Sequence, residues 1–216
     1  MCARNISSAL HDLSSLSHHT RKWFMVGRSR KEAVNSPIST EFDSISGLLQ
    51  KGINRRETDK LPIPNLGYRC TIWNGEMNDS AVSISFQCGG YSPHISNGVV
   101  INLPNNEEIW DFKILRCAME ILVRRFSPDW GTVNTALLRD QVLRLPETAI
   151  QVGWMTYLSS KIGNVPPHPK YEAEIIDGYG SVVVATRDRF SVQNAEHQRR
   201  ALMVAEEVSR LPALGR

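Results

Sequence analysis

Few residues in this sequence are suited to chemistry, and their spacing decides how each is read. His18 and His19 are adjacent, and imidazole is the commonest metal-binding side chain. They lie among serines near the N-terminus, and no His-Glu-x-x-His, paired Cys-x-x-Cys or Asp-x-Asp-x-Asp-Gly loop accompanies them. The pair therefore reads as a solvated surface pair, and no metal is expected. Pro128-Asp129 opens like a metal-dependent nuclease motif, in which carboxylates and a lysine hold Mg²⁺ and activate water. No Glu-x-Lys or Asp-x-Lys follows at usable distance, so Ser127-Pro128-Asp129 reads as a turn that ends a helix. Trp154, Tyr157 and His197 could line an unmotifed pocket with two stacking faces and a general base, the signature of a small ligand-binding or metabolic enzyme. Against this, aromatics within a strand usually pack on a helix layer, and His197 has no partner visible in the sequence. Arg21, Lys22, Arg28, Arg30 and Lys31 are five bases with no acid between residues 21 and 31, except that Glu32 follows directly. They could meet phosphates, but no basic segment elsewhere extends the run, and a solvated strand-to-helix loop accounts for them. Phosphate-cradling glycine loops and a Gly-x-Ser-x-Gly elbow are absent. The sequence therefore reads as a binding scaffold rather than an enzyme, with no cofactor.

Composition supports this reading. The 216 residues hold 25 Lys+Arg against 22 Asp+Glu, a net charge of +3, and are 41% hydrophobic. By segment the charge is +4 over 1–60, −2 over 61–130 and +1 over 131–216. A dedicated nucleic-acid binder would cluster its excess of bases, and a polyanionic mimic would be acidic throughout. The N-terminal stretch carries His11, Asp12, His18 and His19 where a secretory signal would be apolar. Asp111, Lys113, Arg116, Glu120 and Arg124 interrupt the longest apolar stretch, which predicts a cytoplasmic chain with no membrane span. Cys2, Cys70, Cys88 and Cys117 lack Cys-x-x-Cys spacing and read as free thiols, three of them in segments that look buried. Cys70 and Cys88, on neighbouring candidate strands, could also face each other.

The elements that position these residues follow from periodicity. Ile6, Leu10, Leu13 and Leu16 predict an amphipathic helix over 5–18. A strand follows at Trp23–Val26, ended by Gly27. After Pro37, Thr40 and Asp43 make a capping-box-like start to a helix that uses Phe42, Ile45, Leu48 and Leu49, and residues 54–66 read as a polar linker. From Tyr68 the period becomes two, so that Tyr68–Trp73 and Val82–Phe86 form a hairpin about an Asn74-Gly75 turn. Val99–Leu103 is a third strand. Residues 107–126 form a helix apolar over most of its circumference. Strands at 152–158, 172–176 and 181–186 precede a helix capped by Asn194, with Ala201, Val204, Ala205, Val208 and Leu211 on one face and Pro212 at its end. Strands come in runs rather than in βαβ alternation, which predicts a single α+β domain over 1–216 with a largely antiparallel sheet and helices packed against it.

Three blocks carry a resemblance. The first is Trp23-Phe24-Met25-Val26-Gly27-Arg28-Ser29-Arg30-Lys31-Glu32-Ala33, leading to Pro37-Ile38. Gly153-Trp154-Met155-Thr156-Tyr157-Leu158-Ser159 is the second. The third is Val182-Val183-Val184-Ala185-Thr186, leading through Phe190 and Asn194 to His197. Their order and spacing resemble the Immunity protein 52 family of bacterial polymorphic-toxin systems from about Trp23 onward. Family members carry a further strand before the helix matching residues 5–18. This chain starts almost at that helix, so either its start is truncated or one sheet edge is shorter.

The resemblance implies a cytoplasmic, non-catalytic immunity protein that binds a cognate effector toxin with a restriction-endonuclease-like nuclease domain, delivered by type VI secretion. It implies no direct nucleic-acid binding, no membrane and no cofactor, and it leaves the oligomeric state open. The mechanism would be occlusion of the toxin's active site or of its assembly. A nuclease cleft is basic, so a local acidic patch is the expected means of recognition. The candidates are Glu76 and Asp79 in the hairpin turn, Glu107 and Glu108 at a helix start, and Asp129 with Trp130 after that helix. Helix dipoles and turns favour the same acids without any partner.

Overall fold

Hydrophobic periodicity decides where each helix turns its face. The computed structural model describes residues 1–27, 29–93 and 95–212, which divide into two compact units, Met1–Ile109 and Trp110–Arg216.

In the first unit, α1 (Cys2–Leu13) buries Ala3, Ile6, Ala9, Leu10 and Leu13 on one stripe, the three-and-four spacing of an amphipathic helix. It packs against α3 (Phe42–Lys51), which buries Ile45, Leu48 and Leu49. The Thr40/Asp43 capping box does not form. Glu41 is the N-cap without a side-chain bond, and Ser39 Oγ instead accepts the Glu41 N–H. The strands are β1 (Trp23–Met25), β2 (Pro37–Ile38), β3 (Tyr68–Trp73), β4 (Ser83–Cys88) and β5 (Gly98–Asn102), with the single turn α2 (Arg30–Ala33) between the first two. They pair antiparallel in the order β2-β1-β3-β4-β5. Cys70 opposes Phe86 and Ile72 opposes Ile84, all buried. On the other face the Thr71 and Ser85 hydroxyls share a hydrogen bond of 2.9 Å. One face is apolar and one hydroxylated, as the period of two requires. Residues 54–66 are more than a linker, because Asn54 Nδ2 donates to the carbonyls of Leu66 and Gly67 and folds the segment back.

The second unit contains α4 (Phe112–Phe126), β6 (Trp130–Val133), a π-helical turn at Leu138–Leu143, β7 (Met155–Ser159), β8 (Glu172–Ile176), β9 (Gly180–Val184) and α5 (Ala195–Ser209). Its antiparallel sheet runs β6-β7-β9-β8. Asn194 Oδ1 accepts the N–H groups of Glu196 and His197, which caps α5 as expected. Ala201, Val204, Ala205 and Val208 then meet Leu138, Leu158 and Val183 in the core. Helix α4 differs from expectation in two ways. The Asp111 carboxylate accepts from Lys113 and Ile114 and starts the helix at Phe112, not at 107. Only Leu115, Met119 and Val123 are buried along it, a narrow stripe rather than most of its circumference, and Cys117 is exposed.

The α+β class and antiparallel pairing expected from the sequence are observed, with the strands distributed over two sheets. Among the described residues no helix is long and apolar enough to cross a membrane.

Candidate functional site

The acidic candidates of the first unit are organised by two asparagines. Asn74 follows β3 and is buried. Its Nδ2 donates to the Ser80 carbonyl at 2.8 Å and to the His19 carbonyl at 3.2 Å, and its Oδ1 accepts from Glu76 N at 3.2 Å and Val82 N at 3.1 Å. All four donor and acceptor positions of the carboxamide are thus used. This side chain, rather than a two-residue turn, shapes the 74–82 connection, which includes a 3₁₀ turn at Asn78–Ser80. Gly75 is required beside it, because φ is +84° and a Cβ would lie 2.6 Å from the Phe24 ring. The connection projects Glu76 and Asp79 into solvent.

The second asparagine ties in the next loop. Asn106 Nδ2 donates to the Asp79 carbonyl at 2.9 Å, and Asn106 Oδ1 accepts the Glu108 N–H at 2.9 Å. Ile109, 4% exposed, anchors the loop in the core. Glu107 and Glu108 are exposed and lie in a turn ahead of α4, so a helix N-terminus does not account for them. Glu76, Asp79, Glu107 and Glu108 therefore belong to two loops tied by one hydrogen bond.

The histidine pair adjoins this patch, contrary to the expectation of two solvated side chains. His18 is exposed, with its Nδ1 3.4 Å from Glu108 Oε1. His19 is only 6% exposed, and both its ring nitrogens are buried without a hydrogen-bond partner. Its carbonyl is held by Asn74, so the placement of His19 and the shape of the 74–82 connection are one arrangement. Each buried unpaired polar atom costs about 1–3 kcal/mol.

Asp129 and Trp130 lie in the second unit. Asp129 is exposed, 3.7 Å from Lys161 Nζ, and its carbonyl accepts the Ser159 N–H. Trp130 opens β6 and packs partly against the core. Sequence reasoning missed a charge network in this unit. Arg116 bridges Glu120 at 3.0 Å and Glu174 at 2.8 Å, Arg124 bonds Glu120 at 2.7 Å, and Arg187 joins Glu172 and Glu174. The i,i+4 spacing of Arg116, Glu120 and Arg124 was visible, whereas their link to β8 needed the fold.

Trp154, Tyr157 and His197 are buried and engaged. Trp154 Nε1 donates to the Thr186 carbonyl at 2.7 Å, Tyr157 Oη donates to the Tyr179 carbonyl at 3.1 Å, and His197 Nδ1 accepts the Ser191 N–H at 3.1 Å. Their polar atoms serve the main chain of their own unit. Of the basic run, Arg21, Lys22, Arg30 and Lys31 are exposed, and Arg28 lies outside the described residues. The four cysteines are free thiols.

A profile of the family described as Immunity protein 52 covers residues 1–214. The chain belongs to the Immunity protein 52 family. No curated protein matches the sequence. Within this Immunity protein 52 chain, two of the three blocks that carry the resemblance lie in the interior, while the first buries Trp23 and Ala33 and exposes Val26, Ser29, Arg30, Lys31 and Glu32. Trp23 is 2% exposed, and every residue of Gly153–Ser159 and Val182–Thr186 is buried. A Cβ on Gly153 would sit 2.1 Å from the Val133 carbonyl oxygen, the same oxygen that accepts the Trp154 N–H at 2.8 Å. Glycine there lets β6 close on β7.

Proposed function

We propose that this member of an immunity-protein family neutralises a cognate nuclease toxin by binding it, without turnover, in the cytoplasm of the cell that makes it. The toxin would carry a restriction-endonuclease-like domain and be delivered by type VI secretion. The three sequence blocks most resemble TsiT, the antidote to the effector TseT. The observation that carries the reading is the family match over 1–214, and the acidic loop pair of the first unit offers a surface suited to it.

Glu76, Asp79, Glu107 and Glu108 form the proposed contact surface, with Asp129 and Trp130 as a separate candidate in the second unit. Nuclease clefts present cations to phosphate, so four carboxylates on two tied loops can meet those cations while the rest of a +3 chain remains an ordinary surface. This is local charge complementarity rather than imitation of a whole duplex, and it blocks either the active site or the assembly of the toxin.

Co-expression with the product of the neighbouring gene tests the proposal. A toxic neighbour whose lethality is relieved by this chain, with a co-purifying complex, supports it. A harmless neighbour, or toxicity undiminished by this chain, counts against it.

A further inference from the structure

We propose that His18, His19 and Glu108 form a binding site for a borderline divalent transition metal, best fitted by Zn²⁺. One ligand atom from each residue lies within 4.8 Å of the other two. The His18 Nδ1 to Glu108 Oε1 separation of 3.4 Å matches the edge of a tetrahedron whose metal–ligand bonds are about 2.0–2.1 Å, which is about 3.4 Å.

His19 supplies the independent reason to expect a ligand. A buried imidazole normally satisfies at least one ring nitrogen, yet both of its nitrogens are orphaned at 6% exposure. Its ring centroid lies 3.8 Å from that of His18, which brings both imidazoles within reach of one ion. A metal bound to one His19 nitrogen gives that atom the partner it lacks.

The ligand backbones are already held. Ser17 Oγ accepts the His19 N–H, Asn74 binds the His19 carbonyl, and Asn106 accepts the Glu108 N–H. Two imidazoles and one carboxylate select Zn²⁺ and its neighbours over Mg²⁺ or Ca²⁺, which prefer all-oxygen shells. Three protein ligands leave a fourth position, and the exposure of His18 and Glu108 opens it to water or to a donor from a partner. The ion would tie the 18–20 turn to residue 108, joining the two ends of the first unit.

The test uses the tag-free full chain, stripped with a chelator and titrated with Zn²⁺ alone by calorimetry, with Mg²⁺ as control. One equivalent of Zn²⁺ should bind and raise the melting temperature. Co²⁺ in its place should give the intense visible bands of a four-coordinate site. His18→Ala and Glu108→Gln, which alter exposed side chains, should each weaken Zn²⁺ binding by about tenfold or more while leaving the metal-free melting temperature near wild type. His19→Ala should abolish binding, and where it does not fold the two exposed variants carry the test. No saturable Zn²⁺ uptake by the wild type, or uptake undiminished in both exposed variants, overturns the proposal. The readout involves no toxin, so it is independent of the proposed antidote function.

Discussion

Asn106 holds the Asp79 carbonyl through a side-chain hydrogen bond of 2.9 Å, and by that bond the two acidic loops of the first unit keep a common geometry. The bond is exposed and the loops are otherwise separate in sequence. Asn106→Ala should cost little stability, about 0.5–1 kcal/mol in urea unfolding, and show its main effect in partner affinity. Asn74→Ala should behave differently. It strands two N–H groups and two carbonyls around a buried position, and a loss of about 2–3 kcal/mol is expected in the same measurement. Equal losses for the two variants would show that Asn74 does not govern the connection.

Charge reversal should separate surface from interior. Glu107→Lys with Glu108→Lys should weaken binding of the partner toxin at least about tenfold, mostly through a slower association that added salt no longer slows further. His197→Ala should leave the affinity of the folded protein unchanged, because that ring is buried and serves Ser191. The opposite ranking in a binding titration would place the interface elsewhere.

Glu120 makes part of the stability pH-dependent. The Arg124 guanidinium bonded to it, and then Arg116, hold its carboxyl below the ordinary value, against an opposing push from burial. A native pKa below the unfolded one means that the folded state binds fewer protons. The contribution is therefore full above the ordinary glutamate value of about 4.3 and fades as pH falls through the native value. Glu120→Gln should be less stable than wild type at pH 7, by under about 1 kcal/mol because the pair is partly solvated. The two unfolding curves should converge as pH drops below about 4. A gap that persists at acid pH would assign the loss to packing.

The thiols should divide by environment. Burial pushes Cys70 up to about 11, and burial followed by the neighbouring Cys2 thiol pushes Cys88 up to about 12. Both stay protonated and unreactive at pH 8. Cys117 is exposed on α4. A disulfide-exchange reagent at pH 8 should label Cys117 first, and Cys117→Ser should remove that fast phase. Labelling of half-buried Cys88 as fast as Cys117 in the folded protein would contradict its protected environment.

The sequence foretold these elements unevenly, and the reasons are physical. The two strands of the hairpin and their apolar faces were legible because alternation marks them without reference to the rest of the chain, but the register was not. The long 74–82 connection sets Cys70 opposite Phe86 and Cys88 opposite Tyr68, so the two thiols do not face each other. Helix α5 was legible because Asn194 marks its start and its apolar stripe marks its inner face. Four-residue β6 was missed, since its residues are all half-buried and show no alternation, and the Ser-Pro-Asp turn before it read as the end of an element. The π-helical turn at Leu138–Leu143 has no local signature either. Around the candidate site, the acids could be picked out by type, but the asparagines that arrange them could not. Asn74 read as half of an Asn-Gly turn, and its partners at 19, 80 and 82 are brought to it by folding. His19 read as exposed because its neighbours are serines, and its burial depends on a contact 55 residues away.

The interior position of Gly153–Ser159 and Val182–Thr186 bears on how such a chain diverges from its relatives. A toxin docking on the folded protein touches none of these buried residues, so two of the three blocks by which the chain declares its kinship are silent about which toxin it refuses. Two relatives could share these two blocks letter for letter and guard against different weapons, and with the contact surface proposed above, a change of target would rewrite segments 75–81 and 104–109 over an untouched interior.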